Sequence, residues 1–478
     1  MNWKTILINF INGYNYFIIF YFLVLNIIYV IVLLLSIKGL YYYLKRSQYE
    51  GYSDLLSSSF LPGISILVPC YNEENTIVDN VKSLLHLEYN DTEIIVINDG
   101  STDQSLEHLK EEFNLHEIDR VYKKQIETQA INDIYLSATI PNLVVIDKEN
   151  GGKADALNAG VNIAEYDLVT AIDADSILET DSLLKVVIPF IENPKEVVAT
   201  GGIVRIANNS KVDRGFMEEP KLPKADLPRF QVVEYLRAFL TSRVGWGEIN
   251  SLLIVSGAFG VFKKDIVAQV GGYTAKTIGE DMELIIKIHR YLREEEQDYQ
   301  IPLVSDATCW TQGPSDFKSF VGQRKRWQRG LMDSIINHWK LLFNPNYGTV
   351  GMFAFPYYVI FEMFGPLLEF LGYCSIGAAY FLGILNPSFV LIFFLLAVLY
   401  GVFISTSAIG VEAYAEQRYD SILDYIRLFL YGVLENFGYR QLNTIIRAFS
   451  LIGYTPGSNE WGTIDKGKFD NDNSDVEL

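Results

Sequence analysis

The stretch that decides the fold is Asp167-Leu168-Val169-Thr170-Ala171-Ile172-Asp173-Ala174-Asp175-Ser176. The mostly apolar run Leu168–Ile172 reads as a short buried strand, and two carboxylates follow it, one residue apart. Successive strand residues face opposite ways, so Asp173 and Asp175 leave the strand end on the same side. Two hard oxygen donors there can share a divalent cation, or divide a cation and a ribose between them. In a parallel α/β sheet, ligands collect outside the carboxyl ends of the strands. The same stretch also suits a solvated turn, because Asp-Ala-Asp-Ser has helix-capping potential.

On the N-terminal side, Ile64–Pro69 reads as an apolar strand, and Ile77, Val81, Leu84 and Leu85 give Glu73–Leu87 a helical stripe. Glu93–Ile97 is the next strand, and Ser101–Phe113 a helix opened by a serine cap. Leu115–Pro141 has no clean period, and we expect an extra helix within it. Leu143–Ile146 reads as strand and Lys153–Ala164 as helix, leading into the quoted stretch.

Beyond it follow a helix from Asp181 to Phe190, a strand Val197–Val204 and a loop without period over Asn208–Arg229. Phe230–Arg243 reads as helix and Leu252–Phe262 as strand. Asp281–Arg293 and Phe317–His338 read as amphipathic helices. Alternation at this spacing predicts an α/β fold, a doubly wound and mostly parallel sheet with helices on both faces.

Hydrophobic residues make up 49% of the 478-residue chain, but they concentrate at Phe17–Ile37 and Val350–Ile409. The first run is uncharged and exceeds the roughly 20 residues a bilayer crossing needs. It is too long for a signal-peptide core, and it leads into Lys38-Gly39-Leu40-Tyr41-Tyr42-Tyr43-Leu44-Lys45-Arg46 rather than a cleavage site. That basic, aromatic flank marks a cytoplasmic edge, which puts the N-terminus outside and the central block inside. Met352–Leu385, broken at Pro356 and Pro366, and Phe389–Ile409 read as two further crossings around an Asn386-Pro387 turn.

Ile422–Phe449 carries Asp424, Arg427, Glu435 and Arg440 and reads as an interfacial helix. The Phe317–His338 helix is expected to lie along the bilayer, its cations meeting anionic lipid headgroups. The expected organisation is therefore a transmembrane helix with its basic flank (1–50), a cytoplasmic domain (51–340), a second membrane block (341–452) and a tail (453–478). A formal charge of −19 excludes a general nucleic-acid binder. The 3 cysteines, Cys70, Cys309 and Cys374, are too scattered for a disulfide framework or a zinc site.

Further motifs cluster at strand ends. Tyr71 follows the first strand with a flat ring suited to a base, and Asp99 ends the second as a hydrogen-bond acceptor for base or ribose. Asn150-Gly151-Gly152-Lys153 resembles part of a phosphate loop, but its spacing and Ala154 exclude a Walker site. A lysine at a helix N-terminus still suits an anion. Glu280 and Asp281 open a helix, where they either complement its dipole or supply a base. Gln323, Arg326 and Trp327 share one helix face, as a basic amphipathic surface or as a platform for a diphosphate and a sugar ring.

Together these residues resemble the membrane-embedded family-2 glycosyltransferases, such as the cellulose, chitin, hyaluronan and poly-N-acetylglucosamine synthases. Asp99, Asp173-Ala-Asp175, Glu280-Asp281 and Gln323-x-x-Arg326-Trp327 carry the resemblance, in order, between Ile64 and Trp327. It implies a GT-A-type catalytic domain acting on a UDP-sugar donor. Tyr71, Glu73 and Asp99 would hold uracil and ribose, Lys153 would contact the nucleotide, and Asp175 would bind Mg²⁺ or Mn²⁺ with Asp173 beside it. Asp281, next to Glu280, would be the catalytic base. Gly257 and Ala258 would border the acceptor, Trp327 would cradle its terminal sugar, and Gln323 and Arg326 would form the diphosphate platform. Trp461 and Thr463 resemble a gating loop, although Ile464 stands where that pattern has a basic residue, and Lys466 and Lys468 come later.

The expected activity is an inverting, processive β-glycosyltransferase of the cell membrane, extending a glycan and passing it through its own helices. The enzymatic rival adds a single sugar to a lipid acceptor. A rival of another class, a membrane scaffold with an inactive nucleotide-sensing domain, is opposed by the intact carboxylates Asp173, Asp175 and Asp281.

Overall fold

A computed structural model describes residues 3–47, 61–173, 176–213, 216–275, 277–419 and 421–454. The expectations for Asp175, Trp461 and Thr463, and for the tail beyond 454, lie outside the described residues. The chain opens with α1 (Trp3–Ser47). Then come β1 (Ile64–Cys70), α2 (Ile77–Leu85), β2 (Thr92–Asp99), α3 (Ser105–Glu112), β3 (Leu115–Glu117), β4 (Ile131–Ser137) and β5 (Leu143–Lys148). These lead to α4 (Lys153–Ile163), β6 (Leu168–Ala171), β7 (Ile177–Leu178), α5 (Ser182–Glu192) and β8 (Ala199–Ile206).

The sheet has ten strands, in the order β3-β4-β5-β2-β1-β6-β11-β8-β12-β7, where β11 is Gly260–Lys263 and β12 is Leu303–Thr311. All strands run one way except β4, β11 and β7, so the expected α/β, mostly parallel architecture is present. Its central strands are apolar on both faces, as burial between two helical layers demands. Ile64, Ile66 and Val68 of β1 face a core shared with α2 and α5, while Leu67 faces one shared with α4.

Several expectations are corrected. Leu115–Pro141 holds no helix among its described residues. β3 and β4 extend the sheet antiparallel to β5, using the aromatic and β-branched residues of Ile131–Ser137. Asn208–Arg229 is not a plain loop. It holds the hairpin β9 (Lys211–Asp213) and β10 (Phe216–Glu219), and α6 (Asp226–Leu236) starts inside it, with Asp226 and Pro228 in the first turn. In Leu252–Phe262 only the end forms a strand, β11, while Leu303–Thr311 is a strand that the period did not reveal.

Beyond β11 lie α7 (Lys264–Gln269), α8 (Glu280–Glu294) and α9 (Phe317–Asn337). α9 opens with Asp316, whose carboxylate accepts the Ser319 N–H at 2.9 Å. The second membrane block comprises α10 (Val350–Met363), α11 (Gly365–Phe381) and α12 (Pro387–Ala415). α10 and α11 meet at a 42° bend next to Pro366, which is where a proline is tolerated at a helix start. Ile422–Phe449 is two helices rather than one, α13 (Ile422–Leu434) and α14 (Tyr439–Ser450), divided at Gly438 with φ +124°. Thr5–Lys45 and Pro387–Ala415 are long and apolar enough to cross a membrane, and the bent pair adds a third candidate.

α1 is longer than the bilayer requires. Its 45 residues extend about 67 Å at 1.5 Å per residue, against about 30 Å of hydrocarbon. Its C-terminal half packs on the sheet-bearing block. Ser36 donates its hydroxyl to the Leu240 carbonyl, Tyr43 donates to Asp306, and Lys38 approaches Glu248 at 4.0 Å. The segment gripped is unusual. After α6 the chain continues as a π-helical turn, Arg237–Arg243, and then Val244–Gly247. A Cβ at Gly245 would stand 2.3 Å from the Val32 carbonyl oxygen, so only glycine allows this backbone approach.

Gly245→Ala should therefore lower thermal stability in detergent by about 1–3 kcal/mol through overpacking. Gly13→Ala, where a Cβ meets nothing within 4 Å, should leave it unchanged or slightly raised. Equal unfolding temperatures for the two variants would count against a tight seat for α1.

Candidate active site

β1 pairs with β2 on one side and with β6 on the other, so the chain runs outward in opposite directions from this point. Such a reversal leaves a crevice at the carboxyl ends of the strands, where side chains from several loops converge. The loops after β1 and β2 are tied together there. Asn72, left-handed at φ +55°, donates its N–H to the Ser101 hydroxyl at 3.0 Å and accepts the Thr102 N–H at 2.8 Å. Tyr71 is half exposed at the rim, whereas the Glu73 carboxylate accepts the Thr76 hydroxyl at 2.8 Å. Asp103 accepts N–H groups from Glu74 and Ser105 and the Ser105 hydroxyl. These bonds outweigh its desolvation and hold its carboxyl below the usual range.

Asp99 is buried, and its carboxylate accepts the Gly151 N–H at 3.0 Å and the Gly152 N–H at 2.8 Å. The glycine pair is thus occupied by a protein carboxylate rather than open to a phosphate. Lys153 begins α4 directly after that turn. Its ammonium lies 2.6 Å from Asp173, two residues past the end of β6, and 3.5 Å from Glu280 at the start of α8.

Asp281 is fixed beside this pair. One carboxylate oxygen accepts the Gly257 N–H at 3.1 Å, and the other accepts the Met282 N–H at 2.8 Å. A Cβ on Gly257 would stand 3.4 Å from the Asp281 Cβ and 3.7 Å from the Lys153 ammonium, so the glycine is wedged between them. Ala258, the next residue, is half-buried, its carbonyl 3.6 Å from the Cys309 thiol.

Charge governs this cluster. Burial disfavours an ammonium at Lys153, but Asp173, Glu280 and Asp281 outweigh it and push its pKa well up. Glu280 is held above the usual carboxylate range, chiefly by burial and against the pull of Lys153. Three carboxylates around one ammonium leave excess negative charge and hard oxygen donors, the chemistry a Mg²⁺ or Mn²⁺ ion takes. Among the described residues no three such groups are placed to ligate one ion.

The α9 residues lie next to this cluster because the backbones interlock. Gly279, just before Glu280, and Gly330, one turn past Trp327, approach so closely that a Cβ on Gly330 would sit 2.9 Å from the Gly279 Cα. Trp327 is 44% exposed, its ring 6.2 Å from that of Tyr235. Gln323 is buried and Arg326 half-buried. A residue that the motif passes over steadies the platform: Arg324 pairs with Glu234 at 2.5 Å and lies 4.5 Å over the Trp327 ring. The exposed basic face foreseen for this helix thus loses one of its cations to the interior.

A model described as glycosyl transferase family 2 matches residues 65–239, and one described as glycosyl transferase family group 2 matches residues 168–404. A poly-β-1,6-N-acetyl-D-glucosamine synthase of Staphylococcus epidermidis is 29% identical over 317 residues, 66% of this chain and 64% of that one. Its counterpart from Staphylococcus aureus (strain MSSA476) is 31% identical over 315 residues, 65% of this chain and 62% of that one. The chain thus spans somewhat under two thirds of these relatives' lengths. Among solved structures, the mannosyltransferase PcManGT of Pyrobaculum calidifontis, in complex with GDP-Man and Mn²⁺, aligns with a TM-score of 0.48 at 15% identity, covering 86% of this chain and 99% of that one.

The Glu280 environment gives a pH prediction. Above its ordinary value of 4.5, the unfolded chain releases a proton that the folded chain retains, so stability falls as pH rises through this window. Glu280→Gln should flatten that slope in thermal unfolding between mildly acidic and neutral pH. An unchanged slope would argue against a strained carboxyl there.

Proposed function

The chain belongs to the family-2 glycosyltransferases, and from that premise we propose that it is an inverting, processive β-glycosyltransferase extending a polysaccharide from a UDP-sugar. One observation carries the proposal: Lys153, Asp173, Glu280 and Asp281 meet against Gly257 at the carboxyl edge of the sheet. The relatives' names make UDP-N-acetylglucosamine the first donor to test.

In this reading Asp281 is the base. Each of its oxygens accepts one backbone N–H, which fixes the carboxylate and leaves lone pairs for the proton of an acceptor hydroxyl. Attack on the anomeric carbon from the face opposite UDP inverts an α-linked donor to a β-product. Tyr71, Glu73 and Asp99 would border the nucleoside, and Lys153, Arg326 and Gln323 would serve the diphosphate. Asp175, with Asp173 beside it on the donor, would hold the divalent cation, which when bound offsets charge on the departing UDP. Trp327, stiffened by Arg324 and Tyr235, offers its exposed face to the terminal sugar of the acceptor, alongside Gly257 and Ala258. Trp461 and Thr463 retain the gating role that their resemblance suggests.

The catalytic block lies on the cytoplasmic side in this proposal, as the Lys38–Arg46 flank supports, and the candidate crossings after it offer the product a route outward.

Three measurements test it. Asp281→Asn should lower UDP release by roughly 10²–10⁴-fold while leaving UDP binding nearly intact, and undiminished turnover would remove the base assignment. Excess EDTA should stop UDP release by the native protein, and full activity in EDTA would rule out the cation. Incubation with UDP-N-acetylglucosamine alone should give long glycosidase-sensitive chains, whereas a single sugar on lipid would favour the non-processive rival.

A further inference from the structure

Lys148 lies at the end of β5, and its side chain is fully buried (0% exposed) in the sheet interior. Its ammonium reaches Asp99 at 2.5 Å, Asp155 at 2.7 Å and the Glu149 carbonyl at 2.6 Å. An ammonium has three donors, so nothing is left with which to contact a substrate. Both carboxylates in turn hold backbone. Asp99 takes the Gly151 and Gly152 N–H groups, its own carbonyl accepts the Asn150 amide at 2.7 Å, and Asp155 takes the Gln129 N–H at 3.2 Å.

The result is a buried clasp around the turn that launches α4. Gly152 is held at φ +86°, open to glycine at little cost, and a Cβ on Gly151 would collide with the Asp155 carboxylate at 2.4 Å. The residue emerging from the clasp is Lys153, the cation between Asp173 and Glu280. An ion pair in the interior is a poor stabiliser, since desolvation cancels most of its attraction. A lysine with every donor engaged around one turn is better explained by what the turn places.

We infer that Lys148 is a positioning residue, which through Asp99, Asp155 and the diglycine turn aims Lys153 at the diphosphate of the donor. The inference rests on the UDP-sugar reading above, and it makes Asp99 act through the loop, its buried carboxylate being taken up by Lys148, Gly151 and Gly152.

The test is a double-mutant cycle on the full-length protein in detergent, with UDP and uridine affinities measured by calorimetry for the native chain, Lys148→Met, Lys153→Met and the double variant. Each single substitution should weaken UDP binding about tenfold, the loss expected for a misplaced charged hydrogen bond. The double variant should bind UDP no more weakly than Lys153→Met, and uridine affinity should stay within about twofold throughout. Lys148→Arg serves if the methionine variant does not fold: it keeps the charge but not the three-donor geometry, and should lose UDP affinity selectively.

Additive losses in the cycle, a parallel loss of uridine, or native UDP binding by Lys148→Arg would each overturn the inference while leaving the donor reading intact. A native chain that binds no UDP would overturn both.

Discussion

The ammonium of Lys153 resolves a conflict that the fold creates. β6 delivers Asp173 to the crevice and the start of α8, which follows β11 on the same side of β1, delivers Glu280 and Asp281, so carboxylates from one half of the sheet crowd together at a partly buried edge. Like charges at such range repel strongly where water is scarce. One cation, brought by α4 from the other half, makes their approach tolerable, while burial still holds Glu280 above the usual carboxylate range. The strand-end and helix-start carboxylates of the crevice are therefore coupled electrostatically through Lys153, before any ligand enters. The residual negative charge suits a divalent ion, and the single ammonium suits a diphosphate.

Much of this was legible in the sequence because the elements involved are local and periodic. Apolar strands ending in Pro69, Ile97 and Ile172 announced the sheet, and the carboxylates after them announced its functional edge. The missed features are long-range. Arg324 reads as part of a basic helix face, yet its partner Glu234 lies 90 residues away on α6. Lys148 falls just past the strand read at Leu143–Ile146, although a charge there, with Asp155 in the first turn of the next helix, is a usable signal.

Leu303–Thr311 was hidden because Ser305, Asp306 and Thr308 interrupt its apolar character, and Asp306 and Thr308 find their partners on distant elements, at Tyr43 and Ser182. The opposite error occurred at Leu252–Phe262, whose composition favours a strand, but whose glycines instead bring the backbone up to Asp281 and to Val255. Leu115–Pro141 was ambiguous for a third reason: edge strands such as β3 carry exposed polar residues and lose the pattern that burial imposes.

α1 has a consequence of its own. A helix turns 100° per residue, so the rigid rod that fixes depth in the bilayer also fixes the angle at which its far end is presented. Ser36 meets Leu240 and Val32 meets Gly245 only at one azimuth. Adding or deleting a single residue between the lipid-facing part and Val32 would swing those contacts around the helix axis, while two extra full turns would shift them along it without rotating them far. The N-terminal segment is thus a keyed shaft, whose rotational phase relative to the membrane is built into where Arg237–Arg243 and the crevice beyond it are held.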